Sequence, residues 1–333
     1  MAPYAYTLLR SQLFVSIPVP TESFTGQTVI VTGSNTGLGL EAARHLLNLD
    51  AAKVILAVRT VSKGETAAQD LITSCDVPST RVEVWQLDMS SRDSVKAFAK
   101  RASGLQRLDA AILNAGVLSS KWSTIDGVEH HVAVNVIGTV LLELLLLPTL
   151  RRSAQRTASK GRIAIIGSDL MYTADTTILG TDGKILDKLN TRDAIPIGAY
   201  YALSKLLVFY AHRYIASSLS PLSPEQSNVV LTLATPGACT SEIFRDEMPL
   251  AQKVFMSVML KLMARTTEVG GRTLVHAVSP SMGTEEHGKF LMDCEVATDG
   301  YGVESEIGQK MEKRWNEELF AHLESIAPGC TKL

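Results

Sequence analysis

Tyr201-Ala202-Leu203-Ser204-Lys205 sets a phenol and an ammonium four residues apart, a spacing that puts both on one face of a helix. A free phenol titrates at about 10 and is a weak base at neutral pH, and a nearby ammonium favours its anion. Such a pair can hold or move a proton at an oxygen atom. Tyr-x-x-x-Lys is also a common accident of helical sequence. Tyr200 is the rival phenol, but four residues after it stands Ser204, not a lysine.

The second chemical feature is Thr32-Gly33-Ser34-Asn35-Thr36-Gly37-Leu38-Gly39, which joins a β-branched run to a helical pattern. Glycines there permit a tight turn and let backbone approach a pyrophosphate at the helix N-terminus, where amide donors and the dipole favour negative charge. Three glycines also fit a plain strand-to-helix turn. At the end of the next strand an NAD site usually carries a carboxylate for the ribose 2′-hydroxyl. Here Val58 and then Arg59 stand at that point. A planar guanidinium suits a phosphate, so NADP(H) is favoured over NAD(H). Arg59 alone also fits a solvated strand end.

Short apolar runs at 28–32, 53–58, 81–87, 108–113, 162–167, 228–235 and 289–292 alternate with helical patterns at 38–49, 61–72, 90–101, 128–147, 199–217 and 267–278. This rhythm predicts an α/β fold, a doubly wound Rossmann sheet of about seven parallel strands with helices on both faces. One domain over 27–333 accounts for it, after an N-terminal extension over 1–26. Two stretches interrupt the pattern, a substrate-loop insert at about 169–198 and a lid-like arm at about 241–265. Both follow strand ends, where sites of open α/β sheets form.

Taken in order, the motifs resemble the short-chain dehydrogenase/reductase family. The match rests on Thr32-Gly33-x-x-x-Gly37-x-Gly39, Asn114-Ala115-Gly116, a serine ending the fifth strand (Ser168) and Tyr201-x-x-x-Lys205. The separation of Ser168 from Tyr201 and the Asn35-Thr36-Gly37-Leu38-Gly39 stretch are similar to the retinol-dehydrogenase-like branch. The member implied is fungal in type, with a role in tailoring secondary metabolites. The resemblance implies that Tyr201 is the acid/base, that Ser168 hydrogen-bonds the substrate oxygen, and that Lys205 holds the nicotinamide ribose. Asn135 would order a water beside that lysine. It further implies 2′-phosphate contacts from Ser34 or Asn35, adenine contacts from Asp88 and Met89, and a nicotinamide-side turn at Pro236-Gly237. The threonine usual five residues after that proline is replaced by Ser241, preceded by Thr240, and either hydroxyl fits. Asp88 also fits the cap of the following helix.

The formal net charge of −2 argues against nucleic acid as the partner. Cys75, Cys239, Cys294 and Cys330 lie far apart, and no metal is expected. With no basic leader at the N-terminus, the expectation is a cytoplasmic protein with reduced thiols. The apolar run Val132–Leu147 contains Asn135 and Glu143 and meets Pro148, so it reads as a buried helix, with peripheral membrane contact left open. Met171 and Tyr172 in the insert and Phe255 and Met259 in the arm are candidate walls for a lipophilic or polycyclic ketone or secondary alcohol. The insert shows no cluster of basic residues for an acidic substrate. The same fold also carries non-redox epimerases, dehydratases and cyclases, and both monomer and homodimer fit.

Overall fold

The computed structural model describes residues 2–222, 228–240 and 264–333. Among these, eight strands form one sheet: β1 (Thr28–Thr32), β2 (Lys53–Val58), β3 (Val82–Gln86), β4 (Ala110–Leu113), β5 (Gly161–Ile166), β6 (Val229–Thr235), β7 (Lys289–Met292) and β8 (Glu295–Val296). Their spatial order is β3-β2-β1-β4-β5-β6-β7-β8. The first seven run parallel, with Val29 facing Val54 on one side and Ala110 on the other. Only β8 is antiparallel. It is the strand the sequence pattern misses, because two residues carry no period. Asp293 and Cys294, both with positive φ, turn the chain back into it.

Parallel strands need crossover helices, which cover both faces and bury the strands throughout. Accordingly β1 and β6 are buried at every position, and their β-branched side chains suit that setting. Alternate residues divide between two cores. Ile30, Ile55, Ala111, Ile163 and Leu231 face α4 (Arg92–Ser103), α5 (Thr139–Thr157) and α6 (Ile197–Tyr214). Val29, Val54, Ile112, Ala164 and Val230 face α2 (Gly37–Asn48), α3 (Val61–Ser74) and α7 (Thr267–His276).

The expected helix at 128–147 is built in three parts. Val128–Glu129 pairs with Thr124–Ile125 as a short hairpin. A π-helical turn over Val132–Gly138 follows, and α5 then runs past Pro148 to Thr157. Pro148 faces outward, where the ring meets little and the helix continues. Among the described residues, Val132–Thr157 is one helix long and apolar enough to cross a membrane. Its most apolar window is 89% buried inside the protein, as a core helix would be.

The order of pairing reverses at β1, which has β2 on one side and β4 on the other. The carboxyl ends of these strands therefore open into a crevice at that point. Gly138 packs directly behind Met89, which lines that crevice, and a Cβ there would run into the Met89 carbonyl. Gly138→Ala is expected to lower stability by about 1–3 kcal/mol, as overpacking against rigid backbone does. An unchanged urea midpoint would contradict that.

Candidate active site

Ser168 ends β5 in extended geometry and caps a 3₁₀ turn, its hydroxyl accepting the Leu170 amide at 3.2 Å. One crossover later, α6 starts behind Pro196, a residue that accepts the entry geometry of a helix. Its second and third turns carry Tyr201 and Lys205 on one face. Lys205 is 7% exposed, and its Nζ donates to the Ile166 carbonyl at 2.7 Å, while standing 5.6 Å from the centre of the Tyr201 ring. The Ser168 hydroxyl faces the Tyr201 phenol. The three expected side chains therefore meet at the end of β5.

The electrostatics of this corner differ from the expectation. Burial pushes the Tyr201 phenol up to about 12, with the Ser168 hydrogen bond opposing and the nearby Asp169 carboxylate adding to the rise. Lys205 does not offset this, because its ammonium points at the Ile166 carbonyl and sits over the ring rather than at the oxygen. Burial also lowers Lys205 to about 8. The phenol is accordingly held protonated at neutral pH in the chain itself.

Asn135 projects from the π-helical turn and spends its amide on the β4 loop. It accepts the Val117 amide at 2.8 Å and donates to the Val117 carbonyl at 2.9 Å and to Ser204 Oγ at 3.0 Å. It lies beside Gly116, where a Cβ would come within 3.2 Å of Asn135 Oδ1 and 3.8 Å of Lys205 Nζ. Asn114 braces the glycine loop by donating to the carbonyls of Thr32 and Gly33, and the Ala115 amide donates to Thr32 Oγ1 at 2.9 Å.

Beside this corner a cleft of about 440 Å³ runs over the ends of β1, β2 and β4. Gly33, Asn35, Thr36, Gly37 and Leu38 form its floor; Ala57, Arg59, Thr60 and Lys63 close one end. Leu87, Asp88, Met89, Asn114, Ala115 and Gly116 complete the wall. Gly33 and Gly37 both have positive φ, and at Gly37 an added Cβ would meet open space. Gly39 has no room for one, since it would lie 2.6 Å from the Gly33 carbonyl. A backbone cradle, an uncapped N-terminus of α2 and a cationic end fit a dinucleotide. Among the described residues, Arg59 and Lys63 are exposed and make no ion pair.

Several expectations are corrected. Ser34 is fully buried and donates to the Val31 carbonyl, so its hydroxyl is turned away from the cleft; Asn35 is the neighbour that lines it. Asp88 does not cap α4, a task that Ser91 performs; it instead accepts from the amide and hydroxyl of Ser90. Met171 is 1% exposed within the main core, and Tyr172 donates to the Thr298 carbonyl and packs edge-on to Phe290. Both lie behind the corner rather than in an open wall. The Thr240 amide and hydroxyl are engaged with the Arg265 carbonyl. Ser241, Phe255 and Met259 lie outside the described residues.

Other residues had no readable signal. Asp169, buried beside Ser168, takes its position from a 3.3 Å bond between its amide and Thr235 Oγ1. Arg265 donates to the Pro236 carbonyl, to the Ser11 carbonyl and to Asp293 Oδ1, tying the Pro236-Gly237 turn to the N-terminal helix α1 (Ala2–Phe14 by the chain order). His131 pairs with Glu129 at 2.8 Å and accepts the Ser119 amide, so its proton lies on Nδ1. Among the described residues no group of three or more histidine, cysteine or acidic side chains could hold a metal.

The fold and this corner define a Rossmann enzyme of the dinucleotide-dependent class. The short chain dehydrogenase family model matches residues 27–174. A short chain dehydrogenase/reductase of Cryptosporiopsis sp. is 39% identical over 97% of this chain and 98% of its own length. A short-chain dehydrogenase of Penicillium roqueforti is 40% identical over 98% and 84%. The chain belongs to the short-chain dehydrogenase/reductase family, oxidoreductases acting between CH–OH and C=O. Two solved structures share its fold. One is a 3-ketoacyl-(acyl-carrier-protein) reductase from Brucella melitensis complexed with NADH, with TM-score 0.57, 19% identity and 81% and 97% coverage. The other is a short-chain dehydrogenase from Sphingobium yanoikuyae in complex with NADPH, with TM-score 0.53, 20% identity and 74% and 81% coverage.

The buried Lys205 charge has a measurable consequence. Its folded value of about 8 lies below the ordinary 10.5, so the cost of burying it is fully present below pH 8 and disappears as pH rises towards 10.5. Cofactor-free enzyme should gain stability across that window. Lys205→Met should be inactive yet more stable by about 3 kcal/mol at pH 7, with the advantage fading by pH 10. Thermal melts at pH 7 and 10 test this, and a destabilised variant at pH 7 would overturn it.

Proposed function

We propose that the protein is an NADP(H)-dependent reductase or dehydrogenase that interconverts a lipophilic ketone and its secondary alcohol, with Tyr201 as acid/base. The observation that carries this reading is the meeting of Ser168, Tyr201 and Lys205 in a corner next to Gly116, a residue lining the cleft, whose far end carries Arg59 and Lys63 without an ion pair among the described residues. A bound nicotinamide supplies or takes the hydride at the substrate carbon. Ser168 orients the substrate oxygen through its hydroxyl, and Tyr201 gives that oxygen its proton. A phenol held at about 12 is protonated and ready for that step in the reductive direction. Lys205 anchors the phenol's helix and presents an ammonium towards the cleft that would hold the nicotinamide ribose.

At the far end, Arg59 offers a planar fork and Lys63 a point charge beside the N-terminus of α3, together suited to a 2′-phosphate. Asn35 is placed to add an amide. The four cysteines are free thiols, which suits a reducing cytoplasmic setting, and the fungal relatives agree with a role in secondary metabolism.

Tyr201→Phe is expected to lower kcat at least 10²-fold, the usual size of a lost proton-transfer group. NADPH affinity, read by nicotinamide fluorescence, should stay within a few-fold of the parent. Full turnover in that variant would sink the mechanism. Arg59→Asp should raise the KM for NADPH by roughly tenfold or more while sparing that for NADH. An equal effect on both cofactors would remove Arg59 from the phosphate site.

A further inference from the structure

A second groove, of about 470 Å³, lies where two distant segments meet: Lys121 and Trp122 on one side, and Arg192 to Ile197 on the other. Two observations connect it to the catalytic corner. Ile197 is the first residue of α6 and stands four positions before Tyr201, hence on the same face and about one turn, 6 Å, away. On the opposite wall, Ser119 lines the cofactor cleft and both donates to the Lys121 carbonyl and accepts its amide, each at 3.1 Å. The loop that borders the cleft therefore continues directly into the groove.

The lining is chemically distinctive. The Trp122 indole, Pro196 and Ile197, over the buried Ile195, make an apolar surface on which a flat ring can lie. Lys121 and Arg192 bring two positive charges against the single carboxylate of Asp193. Arg192 stands 5.8 Å from the Trp122 ring centre, beyond close stacking. Its Nε is 3.9 Å from Asp193, with side chains 74% and 91% exposed, so that pair is weak and the guanidinium can turn to another anion. The insert shows no basic cluster in sequence because half of this one comes from the loop after β4.

We propose that this groove is the distal substrate subsite and takes an aromatic ring bearing a carboxylate, stacked on Trp122 and paired with Lys121 and Arg192. The assignment rests on the reductase reading and narrows its substrate to an anionic aryl ketone or its alcohol. Neither cation touches the catalytic corner, so replacing them acts on substrate binding alone.

Two readouts separate this proposal from the reading beneath it. The full-length enzyme is assayed with NADPH and either 4-acetylbenzoate or its neutral methyl ester. Lys121→Gln and Arg192→Gln should each raise the KM for the acid roughly three- to tenfold and leave kcat and the KM for the ester and for NADPH unchanged. Independently of turnover, 4-acetylbenzoate should quench indole emission. Trp85 and Trp315 are 4% and 0% exposed, so the quenched component is Trp122 and should vanish in Trp122→Phe. Quenching that weakens in the two Gln variants, with neither ketone reduced, upholds the subsite and overturns the reductase reading. Equal KM changes for acid and ester, or quenching that survives in Trp122→Phe, overturns the subsite.

Discussion

The hydrogen bond from Lys205 Nζ to the Ile166 carbonyl is the contact on which the catalytic corner depends. It joins α6 to the last residue of β5, two residues before Ser168. Helix and strand are separated in sequence by the whole insert, and this bond sets their relative height. The ammonium is costly where it sits, since burial lowers its value to about 8 while leaving it charged at neutral pH. The phenol is displaced the other way: left to burial it holds its proton more tightly than a free tyrosine, and a positive charge brought beside it would draw its value down. A positive charge in the cleft would therefore reverse the displacement of the phenol.

Around that contact the cleft is held mainly by backbone. Asn114 and Thr32 stitch β1 to β4, and Asn135 clamps both polar groups of Val117. The π-helical turn explains how a helix residue reaches so far. One extra residue in the turn shifts the face on which Asn135 emerges while the helix before and after keeps its packing. The price in hydrogen-bond regularity is offset by the buried Glu129–His131 pair, which satisfies the amides of His131 and Val132 and, through Ser119, holds the adjacent loop. That loop borders both the cleft and the second groove.

Much of this was legible in sequence because it follows from short-range periodicity. The strand runs and their parallel order derive from short-range patterns and a known crossover rule, whereas the meeting of Ser168 with Tyr201 and Lys205 was implied by the family resemblance. What was not legible depends on side-chain direction or on distant partners. Ser34 sits in the right motif but its hydroxyl turns inward to Val31. Met171 and Tyr172 closely follow Ser168, yet the 3₁₀ turn buries Met171 in the core and packs Tyr172 against it. The two-residue strand β8 has no period to read. Lys121 and Arg192 are 71 positions apart and become neighbours only through the fold.

Arg265 shows the same limit at the other end of the site. It is 8% exposed and binds Asp293 at 2.7 Å, so its charge is paired rather than stranded. Its remaining donors reach the Pro236 carbonyl and the carbonyl and hydroxyl of Ser11. Gln12 fills the space over Gly237, where any side chain on that residue would collide with it. The N-terminal helix thus rests on the turn that follows β6, and the turn's shape depends on a helix contributed from more than 200 residues away. Removing one partner of this arrangement would leave a buried charge without its full set of acceptors, which is more disruptive than losing the contact alone. Ser11 and Gln12 are consequently packed on the turn that follows β6, joined to it through a guanidinium that belongs to neither the glycine loop nor α6.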